Sequence, residues 1–328
     1  MSQRWRHQAE ARRGNRRRQV TKKKIVGLSC GRRNSNSELL LKAALMAAEE
    51  EGCQTEIIRA MDHKVTPCNS CWTCMKTGRC AKDDVDWILE QTLLGEGGII
   101  VSAPVYHLRS CSYLMIIAEK TNHLFSKKEG IFERRRPGAA ISVGGSGYDG
   151  WTSLGLTSIN LFLQHFTTLI DQVQVDHCAN IGAALTPDNA WAVERCRRLG
   201  KNMARTLDLR FEEWKFLGDD PAVACPVCHC NILYIEKDLP EVMCPTCEVH
   251  GTVSVGADGK YSVTWNQDDV REPRFSAPKE AHHLHWIMEH EWVEEPKQLA
   301  LPEVQAKIAE FNAWGTYISA PKKKERAS

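Results

Sequence analysis

Four cysteines stand within thirteen residues in the stretch CNSCWTCMKTGRC: Cys68, Cys71, Cys74 and Cys80, spaced C-x2-C-x2-C-x5-C. Thiolates this close in sequence suit a metal centre, because short x2 steps wrap sulfurs around adjacent corners. The longer last step contains Gly78, which lets the chain turn so that Cys80 reaches the fourth corner. Three readings compete: an iron–sulfur cluster, one zinc ion, or structural thiols. Zinc also takes four thiolates, so spacing alone does not separate the first two. They differ in consequence, since zinc is redox-silent.

A second set, Cys225, Cys228, Cys244 and Cys247, is spaced C-x2-C-x15-C-x2-C. This is a zinc-ribbon signature, with iron in a rubredoxin-like site as the alternative. So small a module cannot bury enough apolar surface by itself, and a metal would supply much of its folding free energy. Cys230 and His250 are spare donors read as bystanders. Cys30, Cys53, Cys111, Cys178 and Cys196 fall in neither set and are read as non-ligands. His282, His285 and Glu289 share a helical face, read as an aromatic–His surface before a metal site.

Three loops hold further chemistry. SCGRRNSNS, from Ser29 to Ser37, joins an apolar run to a helix start, where backbone N–H groups bind anions and Arg32 adds charge. It is neither a GxxxxGK[ST] nor a GxGxxG loop. SAPVYHLRS offers Pro104, Val105, Tyr106 and His107, with Tyr106 able to lie against a flat ring. VGGSGYDGW brings Gly144, Gly145, Gly147 and Tyr148, and its glycines permit close backbone approach to a ligand.

The elements that must position these loops alternate in type. Strands are expected at KKKIVGLSC, CQTEIIR, GGIIVSAPVY, GAAISVGG and TLIDQVQV. Helices are expected after Ser37, which would cap the first, then over about 83–94, 110–120, within 154–166, and from 188 to about 214. Such alternation predicts an α/β fold: a flavodoxin-like, doubly wound, five-stranded parallel sheet covered on both faces. Ligands of such sheets sit beyond the carboxyl ends of the strands, at the switch point, where all three loops emerge. The expected organisation is a basic arm at 1–23, the α/β domain at 24–217, the ribbon at 222–265, and a helical tail at 266–328. The ribbon would end in a hairpin turning at Asp258-Gly259.

Residues 24 to about 210 resemble the NAD(P)H-dependent FMN reductases, and within them the iron–sulfur flavoproteins of anaerobes. The first loop keeps Arg32, Asn34 and Asn36, with Ser37 for Thr. It departs from the family's Ser and Pro at Cys30 and Gly31. APVYHLRSCSYLM keeps Pro104, Val105 and Tyr106, and the glycine-rich third loop corresponds. The cysteine spacing followed by Asp83 and Asp84 also matches. The resemblance implies FMN at Ser29, Cys30, Arg32, Asn34, Asn36, Ser37, Pro104, Val105, Tyr106, His107, Gly144, Gly145, Gly147 and Tyr148. It implies a 4Fe-4S cluster on Cys68, Cys71, Cys74 and Cys80. The ribbon is an addition to the ordinary family pattern.

The expected function is an oxidoreductase. Electrons would pass from NAD(P)H, or a low-potential carrier, through FMN and the cluster to a small organic substrate. Tyr106, His107, Asp83 and Asp84 would line the catalytic pocket. The alternatives are an electron carrier docking to a partner enzyme and a redox-sensing nucleic-acid binder. Residues 1–24 carry a net +9, which leaves −7 on the rest of a chain whose net charge is +2. A negative body disfavours nucleic acid, which needs a basic face on the folded module. No apolar run reaches the ~20 residues of a membrane span, and no apolar segment follows the basic start as in a signal peptide. A cytoplasmic homo-oligomer is expected, with its thiols reduced.

Overall fold

The structure, a computed structural model, describes residues 23–121, 124, 136–146, 150–219, 223–235 and 241–316. The arm up to residue 22 lies outside them, as do Gly147 and Tyr148. The chain divides into two compact units, Met1–Ala277 and Pro278–Ser328.

The first unit is built on a sheet of five parallel strands: β1 (Lys24–Ser29), β2 (Gln54–Arg59), β3 (Gly98–Tyr106), β5 (Arg136–Val143) and β6 (Thr167–Val175). Their order is β2-β1-β3-β5-β6, and every neighbouring pair is parallel. This is the flavodoxin-like order, with its switch point between β1 and β3. A sixth strand, β4 (Arg109–Ser110), folds back antiparallel on the end of β3. It makes a tight hairpin of the SAPVYHLRS loop.

The strands alternate sides as their β-branched runs dictate. Val26, Leu28, Ile99, Val101 and Ala140 pack on one face, against α3 (Val85–Gln91), α4 (Ser112–Ala118) and α5 (Gly155–Gln164). Ile25, Ile100, Ala139 and Ile141 pack on the other, against α1 (Asn36–Glu50) and α6 (Ala190–Thr206). A fully buried Leu or Ile contributes about 1.5–3 kcal/mol. On this second face α6 crosses α1 closely: a Cβ on Gly200 would lie 1.8 Å from the Ala44 carbonyl oxygen.

Several boundaries differ from expectation. Ser35, and not Ser37, caps α1, accepting from the Glu38 N–H at 3.4 Å, while Ser37 is drawn inside the first turn. Helix α3 ends at Gln91, short of the expected 94. Helix α6 ends at Thr206, and the chain to Trp214 continues through a separate 3-10 turn at Phe211–Glu213.

The same unit carries the four-stranded antiparallel ribbon sheet, β7 (Tyr234–Ile235), β8 (Glu241–Met243), β9 (His250–Val255) and β10 (Tyr261–Trp265), ordered β10-β9-β8-β7. The β9–β10 turn falls at Asp258-Gly259 as expected, with Gly259 at φ +77. The second unit is helical, and among the described residues its last helix is Pro302–Ala313. There Trp286 packs beside His283 and His290, and His285 pairs with Glu289.

Candidate flavin and metal sites

Helix α1 starts at the carboxyl end of β1, so its free N–H groups and positive dipole end face the sheet edge. Gly31 lies where a Cβ would fall 2.4 Å from the Ser37 hydroxyl and 2.5 Å from that of Ser35. Backbone and hydroxyls therefore form a small cradle that any side chain at this position would fill. A cavity of about 540 Å³ opens from it, walled by the loops that leave β1, β3, β5 and β6. Among its described lining residues the only formal charge is Arg32, and none is acidic. A cradle of donors, one guanidinium and a slot of this volume suit an anionic cofactor with a flat ring.

Arg32, Asn36, Ser37, Pro104, Val105, Tyr106, His107, Gly144 and Gly145 line this cavity, as the sequence predicts. Ser29 and Cys30 do not. Both are buried, Ser29 within β1 and Cys30 beneath the loop, where its carbonyl accepts from the Cys111 thiol at 3.3 Å. The adjoining Cys111 thiol and burial push the Cys30 thiol well up, so it stays protonated. Asn34 is absent from the lining too. It takes φ +58 on the outside of the turn, a left-handed position that Asn tolerates. Gly147 and Tyr148 fall outside the described residues.

Several wall residues were not singled out in advance: Ser35, Leu108, Trp151, Thr152, Cys178 and Ile181. The last two belong to the loop after β6. That loop emerges at the same sheet edge, and topology alone could have flagged it. Asn36 holds it there, donating to the carbonyls of Cys178 (2.8 Å) and Asn180 (2.7 Å) and accepting from Ala184 N–H (3.2 Å). Asn36 is thus a latch as well as a wall.

Tyr106 and His107 lead into the β3–β4 hairpin. Its two turn residues, His107 and Leu108, both take positive φ, +50 and +72. Two-residue hairpins favour Gly or Asn in such positions, so two larger side chains here mark a strained turn at the cavity. The neighbouring wall also needs its glycine: a Cβ on Gly144 would meet Thr152 at 2.2 Å.

Asp83 and Asp84 are a correction. Neither lines the cavity. The Asp83 side chain is shielded from solvent at the base of the cysteine loop, accepting from Thr66 N–H (2.8 Å), Thr66 hydroxyl (2.9 Å) and Val85 N–H (3.1 Å), and pairing with Lys120. Burial raises its pKa, but Lys120 and these donors outweigh burial and hold it below the usual carboxylate range. Asp84 accepts from Lys64 N–H at 3.2 Å. The pair anchors the loop to the start of α3.

Above that anchor, Cys68, Cys71, Cys74 and Cys80 line one cavity of about 330 Å³. The loop winds around it through left-handed residues Ser70, Trp72 and Gly78. Gly78 makes the expected turn, its N–H donating to Cys74 carbonyl at 2.7 Å. Cys74 is pushed up by burial and then by the three other sulfurs. Helix α2 (Thr73–Thr77) carries it into the cavity. The four sulfurs are not drawn within 4.8 Å of one another. One tetrahedral zinc with bonds of ~2.3 Å would hold them roughly 3.8 Å apart. Both a zinc ion and an iron–sulfur cluster could draw on these four thiolates.

The second set behaves differently. Cys225, Cys228, Cys244 and Cys247 are buried, and their sulfurs all lie within 4.8 Å of one another, the only such group among the described residues. Two matching knuckles present them. In one, the N–H of His229 (φ +55) donates to Cys225 carbonyl at 2.8 Å. In the other, the N–H of Glu248 (φ +59) donates to Cys244 carbonyl at 2.9 Å. The crowded thiols hold Cys244 far below its ordinary range, through hydrogen bonds from Cys225, Cys228 and Cys247. A single cation at the centre would satisfy all four.

The fold and these two centres define a flavodoxin-like protein with a cofactor cavity at the switch point and two cysteine centres. Comparison with known proteins agrees. The family model for NADPH-dependent FMN reductases matches residues 23–180. An iron–sulfur flavoprotein of Methanocaldococcus jannaschii is 31% identical over 193 residues, which are 57% of this chain and 98% of that protein. Another, of Methanosarcina thermophila, is 34% identical over 125 residues, 38% of this chain and 64% of that one. Among solved structures, a flavone reductase matches at a TM-score of 0.72 and 21% identity, over 91% of this chain and 100% of that chain. That coverage runs well past the sheet domain. The chain belongs to the NADPH-dependent FMN reductase family, among its iron–sulfur flavoproteins, and is a flavoprotein oxidoreductase.

Proposed function

We propose that this protein is a reductase of a small organic substrate. In this reading FMN occupies the 540 Å³ cavity, its phosphate in the cradle of Gly31, Ser35 and Ser37 and its ring toward Tyr106 and His107. NAD(P)H, or a low-potential carrier, is the electron source. FMN supplies conversion between two-electron and one-electron steps. Cys68, Cys71, Cys74 and Cys80 hold a 4Fe-4S cluster. Cys225, Cys228, Cys244 and Cys247 hold zinc, with iron as the alternative metal.

The observation that carries this reading is the cavity mouth. Tyr106, Leu108, Trp151 and Ile181 stand exposed around it, far more apolar surface than a phosphate or a small ion needs. Such a rim suits a flat organic molecule stacked over the ring. The ribbon stands beside this cavity. None of its residues is in the described lining; His229, Cys230 and Asn231 instead line a neighbouring cavity that shares Thr152 with it. The hairpin also supports communication with the cysteine loop, since Arg109 borders a concavity that reaches Cys68 and Ser70.

The test is an anaerobic preparation of the full chain. Flavin absorbance with a broad cluster shoulder, bleached by NADH or NADPH and recovered on adding an organic acceptor, is the expected result. Flavones are the first acceptors to assay, since two similar proteins bear flavone-related names: the flavone reductase above and a flavone synthase of Aspergillus candidus, 30% identical over 128 residues. A protein that takes up no FMN would overturn the reading. One that reduces only artificial acceptors and a carrier protein would make it an electron carrier.

A further inference from the structure

Helix α5 reads GLTSINLFLQ. In a helix otherwise apolar but for Ser158, Thr157, Asn160 and Gln164 are polar at i, i+3 and i+7, and so share one face. That face meets the cysteine knuckles. Thr157 hydroxyl lies 3.1 Å from the Cys230 sulfur, and Asn160 donates to Cys228 carbonyl at 3.0 Å. The Cys247 sulfur lies 3.4 Å from Gln164 Oε1. Beside the stripe, Gln172 of β6 accepts from Asn160 at 2.7 Å and donates to His229 carbonyl at 2.9 Å. Phe216 stacks on His229, ring centres 3.4 Å apart.

One atom in this interface points to a loaded metal. Gln164 Nε2 is buried without a hydrogen-bond partner, while Oε1 faces a sulfur. A metal-bound thiolate carries no proton and accepts hydrogen bonds. Turning the Gln164 amide over would then give its orphan N–H an acceptor, the Cys247 thiolate. Amide orientation follows the network around it, and N–H groups of this kind orient and tune thiolate ligands.

The other end of α5 is fastened to the hairpin. Leu154 N–H donates to Leu108 carbonyl at 2.9 Å, and Ser110 hydroxyl donates to Gly155 carbonyl at 2.9 Å. A Cβ on Gly155 would lie 2.8 Å from Val105 Cγ2, so helix and cavity wall touch directly.

We infer that the Cys225–Cys228–Cys244–Cys247 metal knuckle acts as a positioning device for the cavity. Through Asn160, Gln164 and Gln172 it fixes α5, and through α5 it fixes the strained Tyr106–Arg109 hairpin. Asn160 and Gln172 are positioning residues and touch no substrate. The ribbon thereby gains a role that an independent docking module would not have. The inference rests on the flavin reading only for what the cavity holds.

The experiment follows amide hydrogen exchange in the full chain by mass spectrometry, with metal content measured in parallel. The Asn160→Ala variant should keep its ribbon metal. Its peptides spanning 105–111 should exchange at least about tenfold faster, the scale of a local opening, and its FMN dissociation constant should rise severalfold. Chelating the ribbon metal from a Cys74→Ala background, which has no cluster to lose, should loosen the same peptides even if Asn160→Ala does not fold. Gly200→Ala is the control: it destabilises the core without touching the stripe and should leave hairpin exchange unchanged relative to its neighbours. If chelation frees the ribbon peptides while 105–111 keep full protection, the inference is overturned. The hairpin readout needs no flavin, so its failure is distinguishable from failure of the flavin reading.

Discussion

Cys74 differs from its three partner cysteines in being carried on a helix into the cavity, with its thiol raised by burial and by its neighbours. Replacing it should remove the cluster without disturbing the distant phosphate cradle. Cys74→Ala is therefore expected to lose iron and sulfide and to retain FMN, by elemental analysis and absorbance. Glu38 offers a second prediction. Its buried carboxylate pairs with Arg59 at 2.8 Å and with Lys42 at 2.7 Å. The Arg59 hydrogen bonds hold its pKa down at about 2 despite burial. The folded value lies below the unfolded one, so this stabilisation is complete above about pH 4.5 and is lost as pH falls toward 2. Breaking a buried pair of this kind costs about 3 kcal/mol. Glu38→Gln should lower the melting temperature at pH 7 and flatten its dependence between pH 5 and pH 3.

Helices α1 and α6 pack so closely that their crossing admits no side chain at Gly200. That approach keeps α1 pressed on the sheet, with its N-terminus at the cradle. A methyl group there must push the two helices apart, at roughly 1–3 kcal/mol for overpacking. Gly200→Ala should lower the thermal midpoint by several degrees in calorimetry. The hairpin is the other element that matters. Its turn is strained at two consecutive residues, and the fold holds it from outside through Leu154 and Ser110.

The C-terminal unit leaves large aromatic side chains uncovered. Trp286, Trp292, Phe311 and Trp314 are exposed in the C-terminal unit, whose helices bury almost nothing of their own. Helices of this length are marginal in water unless a face is covered. We expect a homo-oligomer, seen by light scattering at micromolar concentration, and a monomer under those conditions would refute it. Among the described residues no helix is long and apolar enough to cross a membrane.

The sequence by itself determined the sheet order, both cysteine sets, the ribbon hairpin and half of the cavity wall. Each is a local signal: alternation of strand and helix, C-x2-C steps, a Gly at a turn. Tertiary structure alone decided the rest. Asp83 and Asp84 follow the cysteine motif and read as pocket residues, yet the folded loop buries Asp83 against Lys120. Ser29 and Cys30 sit in the right segment but are buried, Ser29 as the last residue of β1 and Cys30 beneath the loop against Cys111. The loop after β6 joined the cavity through Asn36, across more than 140 residues of chain. The polar stripe on α5 was written in GLTSINLFLQ, but its partner was not. What a helix face meets depends on where the chain returns, and no local pattern records that.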